Sequence, residues 1–113
     1  MYCITNKVIN RLEHTNYNIG WVGKEKPPNH YISCNLKDNI FHKEKHYSEL
    51  TFQYWYWKNL LNLDNLNWIG FCQKRRFWLK KKYKITSNKK FNFINENLKK
   101  PEDEWESFDS IIC

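Results

Sequence analysis

Two consecutive arginines, Arg75 and Arg76, are the residues of this chain best suited to bind an anion. They follow an apolar run at residues 68–72, WIGFC, which has the length and continuous apolarity of a strand covered on both faces. Ligands of open α/β sheets bind beyond the carboxyl ends of strands, and the planar guanidinium matches phosphate or carboxylate oxygens in pairs. We therefore expect the pair to hold an anionic group. A bracing role, in which one arginine pairs with a carboxylate such as Glu49, stays open.

A second candidate set, Thr5, Asn6 and Lys7, follows the β-prone run at residues 2–5. An opening strand at this position would place the three residues at its carboxyl end, where open α/β sheets bind their ligands. The alternative is an ordinary exit from a strand into a loop.

The strongest helix pattern begins near Ser48, a favourable N-cap, and carries Glu49 in its first turn. Its expected buried face consists of residues spaced by four, three and four positions: Leu50, Tyr54, Trp57 and Leu61. Further apolar residues widen this stripe, so the helix is predicted to be buried on most sides. With residues 31–34 and 68–72 it would form a βαβ-like unit if those two strands run parallel.

Weaker patterns predict the remaining elements. We expect one helical turn at residues 8–12 and a strand at residues 17–22. Loops are expected at residues 24–30 and 35–45. Later in the chain we expect a short helix at residues 91–100 and a helical turn around Trp105 at residues 102–106. The start of a core strand is expected at residues 109–113. Because a chain rarely stops inside a core strand, we expect the product to be truncated at its carboxyl end or the gene to be split.

Length and composition favour a single domain over residues 1–113. The formal net charge of +7 favours anionic partners, although compositional drift toward lysine and asparagine would give the same excess. No apolar run approaches the ~20 residues of a membrane span, and the amino terminus lacks a secretory pattern, so a cytoplasmic location is expected. Widely spaced cysteines without a CxxC pair predict buried, reduced thiols: Cys3, Cys34, Cys72 and Cys113.

A basic segment provides the main alternative function, a small module that binds nucleic acid or a phosphorylated polymer. It mixes lysines with aromatic residues: Lys80, Lys81, Lys82, Lys84, Phe77, Trp78 and Tyr83. No RNP, KH or zinc-finger pattern accompanies it, so a solvated charged segment is favoured and nucleic acid is not the preferred partner. His42 and His46 lie four residues apart, but without HExxH and in a loop-like segment they predict no metal site.

The central run, YSELTFQYWYWKN followed by WIGFCQKRRFW, resembles a known family. It is similar to the amino-terminal part of the domain-of-unknown-function 4422 family, in which approximately E-L-T-x-x-Y-W-x-W-K-N precedes Y-I-G-L-x-H-Y-R-R-Y-F. The matching residues are Glu49, Leu50, Thr51, Tyr54, Trp55, Trp57, Lys58, Asn59, Ile69, Gly70, Arg75, Arg76 and Phe77. Segments at residues 3–7, 38–40 and 105–109 are also similar to the family, so the resemblance covers essentially the whole chain.

The resemblance implies a GT-A-like transferase: an α/β fold with a Rossmann-like sheet and flanking helices. Such a protein would transfer sugar from a nucleotide-diphospho-sugar to a glycan or lipid-linked acceptor during surface polysaccharide synthesis. It implies donor-diphosphate binding by Arg75 and Arg76 and nucleotide binding by Thr5, Asn6 and Lys7. The residues that would orient the substrate are Glu49, Tyr54, Lys58 and Gln73. A divalent metal (Mn²⁺ or Mg²⁺) and peripheral association with a membrane stay open.

Two departures from the family pattern concern activity. Gln73 and Lys74 stand where the family has histidine and tyrosine, and a glutamine cannot transfer a proton at neutral pH. Family members also continue well past residue 113, so we expect this chain to be a fragment whose catalytic activity is an open question.

Overall fold

The computed structural model describes residues 1–64, 67–80 and 96–110. In this part of the chain, short strands form one parallel sheet: β1 (Tyr2–Thr5), β2 (Asn18–Trp21), β3 (Ile32–Ser33) and β4 (Phe71–Gln73). Their order across the sheet is β3-β2-β1-β4. Parallel strands joined by helical crossovers define an α/β fold, so the predicted class is confirmed.

Helical segments connect β1 to β2 and β3 to β4, whereas a loop without a helix connects β2 to β3. The α-helices are α1 (Glu44–Tyr47) and α2 (Leu50–Asn59), and 3₁₀ turns occupy Asn10–His14, Phe41–Lys43 and Asp103–Trp105. The expected turns near residues 8–12 and around Trp105 are confirmed. The prediction of a loop over residues 35–45 is wrong for its last part, where the chain forms a 3₁₀ turn and the start of α1. The run FHKEKHY contains no glycine, proline or β-branched residue that would prevent helical turns.

Residues 91–95 and 111–113 lie outside the described residues. The helix predicted for residues 91–100 is wrong over 97–100, because Asn97 bridges Leu79 and the Leu98 amide donates to the carbonyl of Trp78 at 2.7 Å. Residues 109–110, the described part of the predicted strand at 109–113, are not in a strand.

The sheet separates two apolar clusters. One face packs the 3₁₀ turn after β1 and the residues around it: Cys3, Leu12, Tyr17, Ile19, Trp21, Tyr31 and Cys72. The opposite face packs α2 through Ile4, Val22, Cys34, Phe52 and Trp55. The connection from β1 to β2 and the helix from β3 to β4 therefore cover opposite faces of the sheet.

The cysteines of the described residues are buried and free, as predicted: Cys3, Cys34 and Cys72. Desolvation raises the pKa of the Cys34 thiol to about 12, so this side chain stays protonated in the core. Cys113 lies outside the described residues.

Helix α2 buries a different face from the predicted one. Leu50 and Trp57 are 51% and 56% exposed, whereas Phe52 and Trp55 are buried. The apolar residues of this helix point to several sides, so periodicity could not select its buried side. The choice depends on the partners: Phe52 fills the space above Gly20, and the Trp55 indole donates a hydrogen bond of 2.8 Å to the carbonyl of Leu36.

The start of α2 also differs from the prediction. Ser48 ends α1, where its amide donates to the carbonyl of Glu44 at 2.8 Å. Its backbone has φ 48° and ψ −120°, a conformation that non-glycine residues rarely adopt. Glu49 is the N-cap residue of α2 and makes no side-chain capping bond. The predicted Ser48 cap is therefore wrong, because the serine must turn the chain sharply between two helices.

Strand β4 begins three residues later than the predicted strand at residues 68–72. Trp68 is exposed, and β4 pairs with β1 from Phe71 onward. The amide of Tyr2 donates to the carbonyl of Gly70 at 2.8 Å, which marks the entry to this pairing. Strands β3 and β4 are parallel, but they lie at opposite edges of the described sheet, so α2 crosses over β2 and β1 to connect them.

Gly20→Ala is expected to lower the free energy of unfolding by about 1–3 kcal/mol, as overpacked cores do. A Cβ at this position would lie 2.7 to 2.8 Å from ring carbons of Phe52, which is fully buried and cannot move aside. Urea unfolding of the purified chain measures the loss.

Two further variants make this test specific. Phe52→Leu creates room near Gly20, so the double variant should lose less stability than the sum of the single losses. Gly70→Ala is the matched control, because its Cβ would meet only the flexible side chain of Met1. The close contact is contradicted if the stability losses of Gly20→Ala and Phe52→Leu are strictly additive. It is also contradicted if Gly20→Ala and Gly70→Ala lower the free energy of unfolding equally.

Candidate functional site

The order of the strands creates a crevice at the carboxyl edge of the sheet. From β1 the chain moves to β2 and β3 on one side, and it then returns to place β4 on the other side of β1. At such a reversal point the two connections leave in opposite directions and open a space beyond the strand ends, where α/β proteins bind ligands. Thr5 ends β1 and Gln73 ends β4, so two predicted site residues flank this crevice.

A polar cleft of about 190 Å³ occupies this position. Its polar lining comes from the ends of β1 and β4 and from the start of α2: Thr5, Asn6, Ser48, Glu49, Gln73, Lys74 and Arg75. The structure therefore brings together residues from both predicted strand ends and from the predicted helix start.

The loop after β1 is held by its own backbone. The buried Thr5 hydroxyl donates to the carbonyl of Lys7 at 2.7 Å and accepts from the Lys7 amide at 3.1 Å. A Cβ on Gly23 would lie 2.8 Å from the carbonyl oxygen of Asn6, so only glycine lets the loop after β2 approach this closely. The side chain of Asn6 is thus presented at a fixed place on the cleft rim.

A tight turn follows β4 and carries the basic residues. The amide of Arg76 donates to the carbonyl of Gln73 at 3.1 Å, and the amide of Lys74 extends the β1–β4 pairing by donating to Ile4 at 3.1 Å. The Lys74 ammonium donates to the side-chain oxygen of Asn6, which connects the two loops across the cleft. This turn divides the arginines: Arg75 lines the polar cleft, and Arg76 lines a neighbouring one.

The neighbouring cleft, here called the apolar cleft, has a volume of about 370 Å³. Its wall toward the polar cleft is formed by Glu49 and Gln73, which line both spaces. The Gln73 amide donates a hydrogen bond to the Glu49 carboxylate, so the partition connects α2 to β4. Among the described residues neither Arg75 nor Arg76 forms an ion pair, and the bracing role considered for Glu49 falls to Gln73 instead.

Positive charge is concentrated in the polar cleft. Desolvation lowers the pKa of the Lys74 ammonium below its usual value, and the nearby charges of Lys7 and Arg75 lower it further. Lys74 and Arg75 line the cleft, and an anion bound beside them would offset the repulsion that Lys7 and Arg75 exert on Lys74. The cleft therefore favours a ligand with at least one negative charge.

The donor set of the polar cleft does not fit a metal ion. Its lining contains one carboxylate, Glu49, beside Lys74 and Arg75, whereas Mg²⁺ and Ca²⁺ need several oxygen ligands. Across the described ranges, no group of three or more histidine, cysteine, aspartate or glutamate residues is placed to hold a metal. His42 and His46 lie on exposed positions of the segment before α2.

Two predicted site residues lie away from both clefts. The Tyr54 hydroxyl donates to the Asp38 carboxylate at 3.4 Å, and the Lys58 ammonium lies 4.1 Å from the centre of the Trp57 ring. Both side chains belong to the outward side of α2. Of the basic run, Lys80 is described, and residues 81–84 lie outside the described residues.

Sequence reasoning missed two cleft residues. Lys74 directly follows the end of β4, and this position after a strand, which predicts a ligand-binding role for Arg75, applies equally to Lys74. Ser48 was interpreted as a helix cap. A serine between two helical runs, with a short linker of one residue, could have suggested a sharp turn instead.

The protein has an α/β fold, and a cleft lined by cations lies at the reversal point of its parallel sheet. The chain belongs to the family described as a domain of unknown function (DUF4422), whose model matches residues 1–107. The resemblance carried by the ELT and RRF segments is thereby confirmed. Comparisons with curated proteins and with solved structures found no match. In the part of the chain that the structure describes, no helix has the length and apolarity needed to cross a membrane.

Neutralising Lys7 should raise the pKa of Lys74 toward its usual value. In Lys7→Gln one repelling charge is gone, so Lys74 should lose its proton at a higher pH than in the parent chain. NMR titration of ¹³C-dimethylated lysines follows this directly. Lys99→Gln is the control, because Lys99 lies near Met1, at the amino-terminal end of β1 and far from the cleft. An equal response to both substitutions, or an ordinary pKa for Lys74, contradicts the proposed electrostatics.

Proposed function

We propose that this protein is a glycosyltransferase-like protein of GT-A type that binds a nucleotide-diphospho-sugar in the polar cleft. The observation that carries the proposal is that Lys74 and Arg75 line the cleft at the reversal point of a parallel sheet, with the charge of Lys7 close enough to act on Lys74. A diphosphate supplies the negative charge that this cluster lacks, and its oxygens match the planar fork of Arg75.

The remaining cleft residues suit the other parts of such a ligand. Thr5 and Asn6, at the end of β1, would face the nucleotide, and the side-chain amide of Gln73 would hydrogen-bond the sugar. When a glycosyl bond breaks, negative charge grows on the departing diphosphate. Lys74 and Arg75 would stabilise that charge more strongly than the charge of the intact donor, which lowers the barrier.

The family pattern supports the same assignment. The double arginine after the central strand and the glutamate at the start of the helix are the residues by which this chain resembles transferases of surface polysaccharide synthesis. In this protein Glu49 and Gln73 meet at the end of β4, beside Arg75. Buried reduced thiols suit the cytoplasm, where we place the protein and where a glycan or lipid-linked acceptor would be extended.

The test is a calorimetric titration of the full chain with uridine diphosphate at low salt. Arg75→Ala and Lys74→Ala should each weaken binding by roughly 10-fold to 100-fold, because each removes charge-assisted hydrogen bonds worth about 1.5–3 kcal/mol. The difference in affinity between the parent chain and each variant should become smaller as salt is added, since screening weakens the interactions of exposed charges.

Lys58→Ala provides the matched control for charge. It removes one positive charge from the outward side of α2, where Lys58 lies against Trp57, and it should leave the affinity for uridine diphosphate within a factor of about two. Equal weakening by Lys58→Ala and Arg75→Ala would mean that net charge, rather than the polar cleft, attracts the nucleotide. The same affinity for the parent and both cleft variants would remove the proposal.

A further inference from the structure

The apolar cleft adjoins the polar cleft and shares its partition. Glu49 and Gln73 line both spaces, and each cleft receives one of the two consecutive arginines. A ligand in the apolar cleft would thus lie directly across one hydrogen-bonded pair from a ligand in the polar cleft. Two adjoining sites with a thin polar partition are the arrangement that a reaction between two bound molecules requires.

The walls of the apolar cleft are built from anchored aromatic side chains. The Trp78 indole donates to the carbonyl of Phe71 at 2.9 Å, and its ring packs edge-on against Trp105 with centroids 5.7 Å apart. Phe77 lies 6.4 Å from Tyr17, measured between ring centroids. These contacts hold the wall in place before any ligand arrives, so binding needs little ordering of the protein.

The polar groups of the apolar cleft are few and have distinct uses. Gln53, Gln73 and Glu49 can exchange hydrogen bonds with hydroxyl groups. Arg76 is the cation among the lining residues and, within the described chain, pairs with no carboxylate. A ligand that fits this combination has an apolar ring face, several hydroxyls and one negative group.

We propose that the apolar cleft is the acceptor site and that it selects a sugar ring carrying one anionic group, either a carboxylate or a phosphate. This assignment rests on the proposed transferase function and deepens it by naming the class of acceptor. The ring lies against Trp78, its hydroxyls face Glu49 and Gln73, and its anionic group binds the guanidinium of Arg76. Arg75 and Arg76 thus serve different ligands, although they are neighbours in sequence.

The test compares three simple probes by saturation-transfer NMR and calorimetry: phenyl β-D-glucoside, phenyl β-D-glucuronide and phenyl β-D-glucoside 6-phosphate. The full chain should bind at least one of the two anionic probes about 10-fold more tightly than the neutral one, as expected for a charge-assisted hydrogen bond. Whether the carboxylate or the phosphate binds better identifies the anionic group. Equal binding of all three probes overturns the proposal.

Variants assign the effect to this cleft. Arg76→Gln should abolish the preference for anionic probes, whereas Arg75→Gln, its neighbour on the polar cleft, should retain it. Leu50→Glu places a carboxylate on the exposed cleft wall, where a polar side chain is tolerated, and should weaken the anionic probes about 10-fold. If Arg75→Gln reduces the preference as much as Arg76→Gln, the division between the two arginines is wrong.

Failure of this assignment is distinguishable from failure of the proposed function. Uridine diphosphate titrated into the same samples reports on the polar cleft alone. Binding of anionic sugars that depends on Arg76, without nucleotide binding, would retain the sugar site and remove the transferase assignment. Nucleotide binding that depends on Arg75, without any preference among the sugars, would overturn the acceptor site and leave the donor site intact.

Discussion

The close contact between Phe52 and Gly20 fixes helix α2 against the sheet. Because Gly20 has no side chain, the ring of Phe52 lies directly on the sheet, and this sets how closely α2 approaches it. The approach brings the start of α2 over the end of β4, where Glu49 accepts a hydrogen bond from Gln73. A helix held farther away would leave the two clefts without their common partition.

A second constraint is the order of the strands. Placing β4 beside β1 sets the loops of residues 5–7 and 74–76 next to each other, although they are about seventy positions apart in the sequence. The chemistry of the site follows from this adjacency: Lys74 contacts Asn6, and Lys7 lowers the pKa of Lys74. Because the strands are short, only the residues at their ends contribute side chains to the crevice, and the charged residues of the site are confined to those ends.

Much of this arrangement was predictable from the sequence, and the errors have physical causes. β-prone runs predict β1, β2 and β3, and Thr5 lies at the carboxyl end of β1 as expected, whereas β4 is displaced from the apolar run at residues 68–72. The buried face of α2 could not be predicted, because apolar residues surround the helix and only its partners, Gly20 and the Leu36 carbonyl, select the side. The separation of Arg75 from Arg76 also escaped prediction, since it is produced by a tight turn after β4.

We propose that this protein binds its ligand at the carboxyl edge of the sheet, between the ends of β1 and β4. Amide chemical-shift mapping by NMR during addition of uridine diphosphate tests it most directly. We expect the largest shifts at Asn6, Lys7, Lys74 and Arg75, with little change at Trp68 and Lys99 near the amino-terminal ends of β1 and β4. Shifts concentrated around Trp68 and Lys99, with none at the ends of β1 and β4, would contradict it.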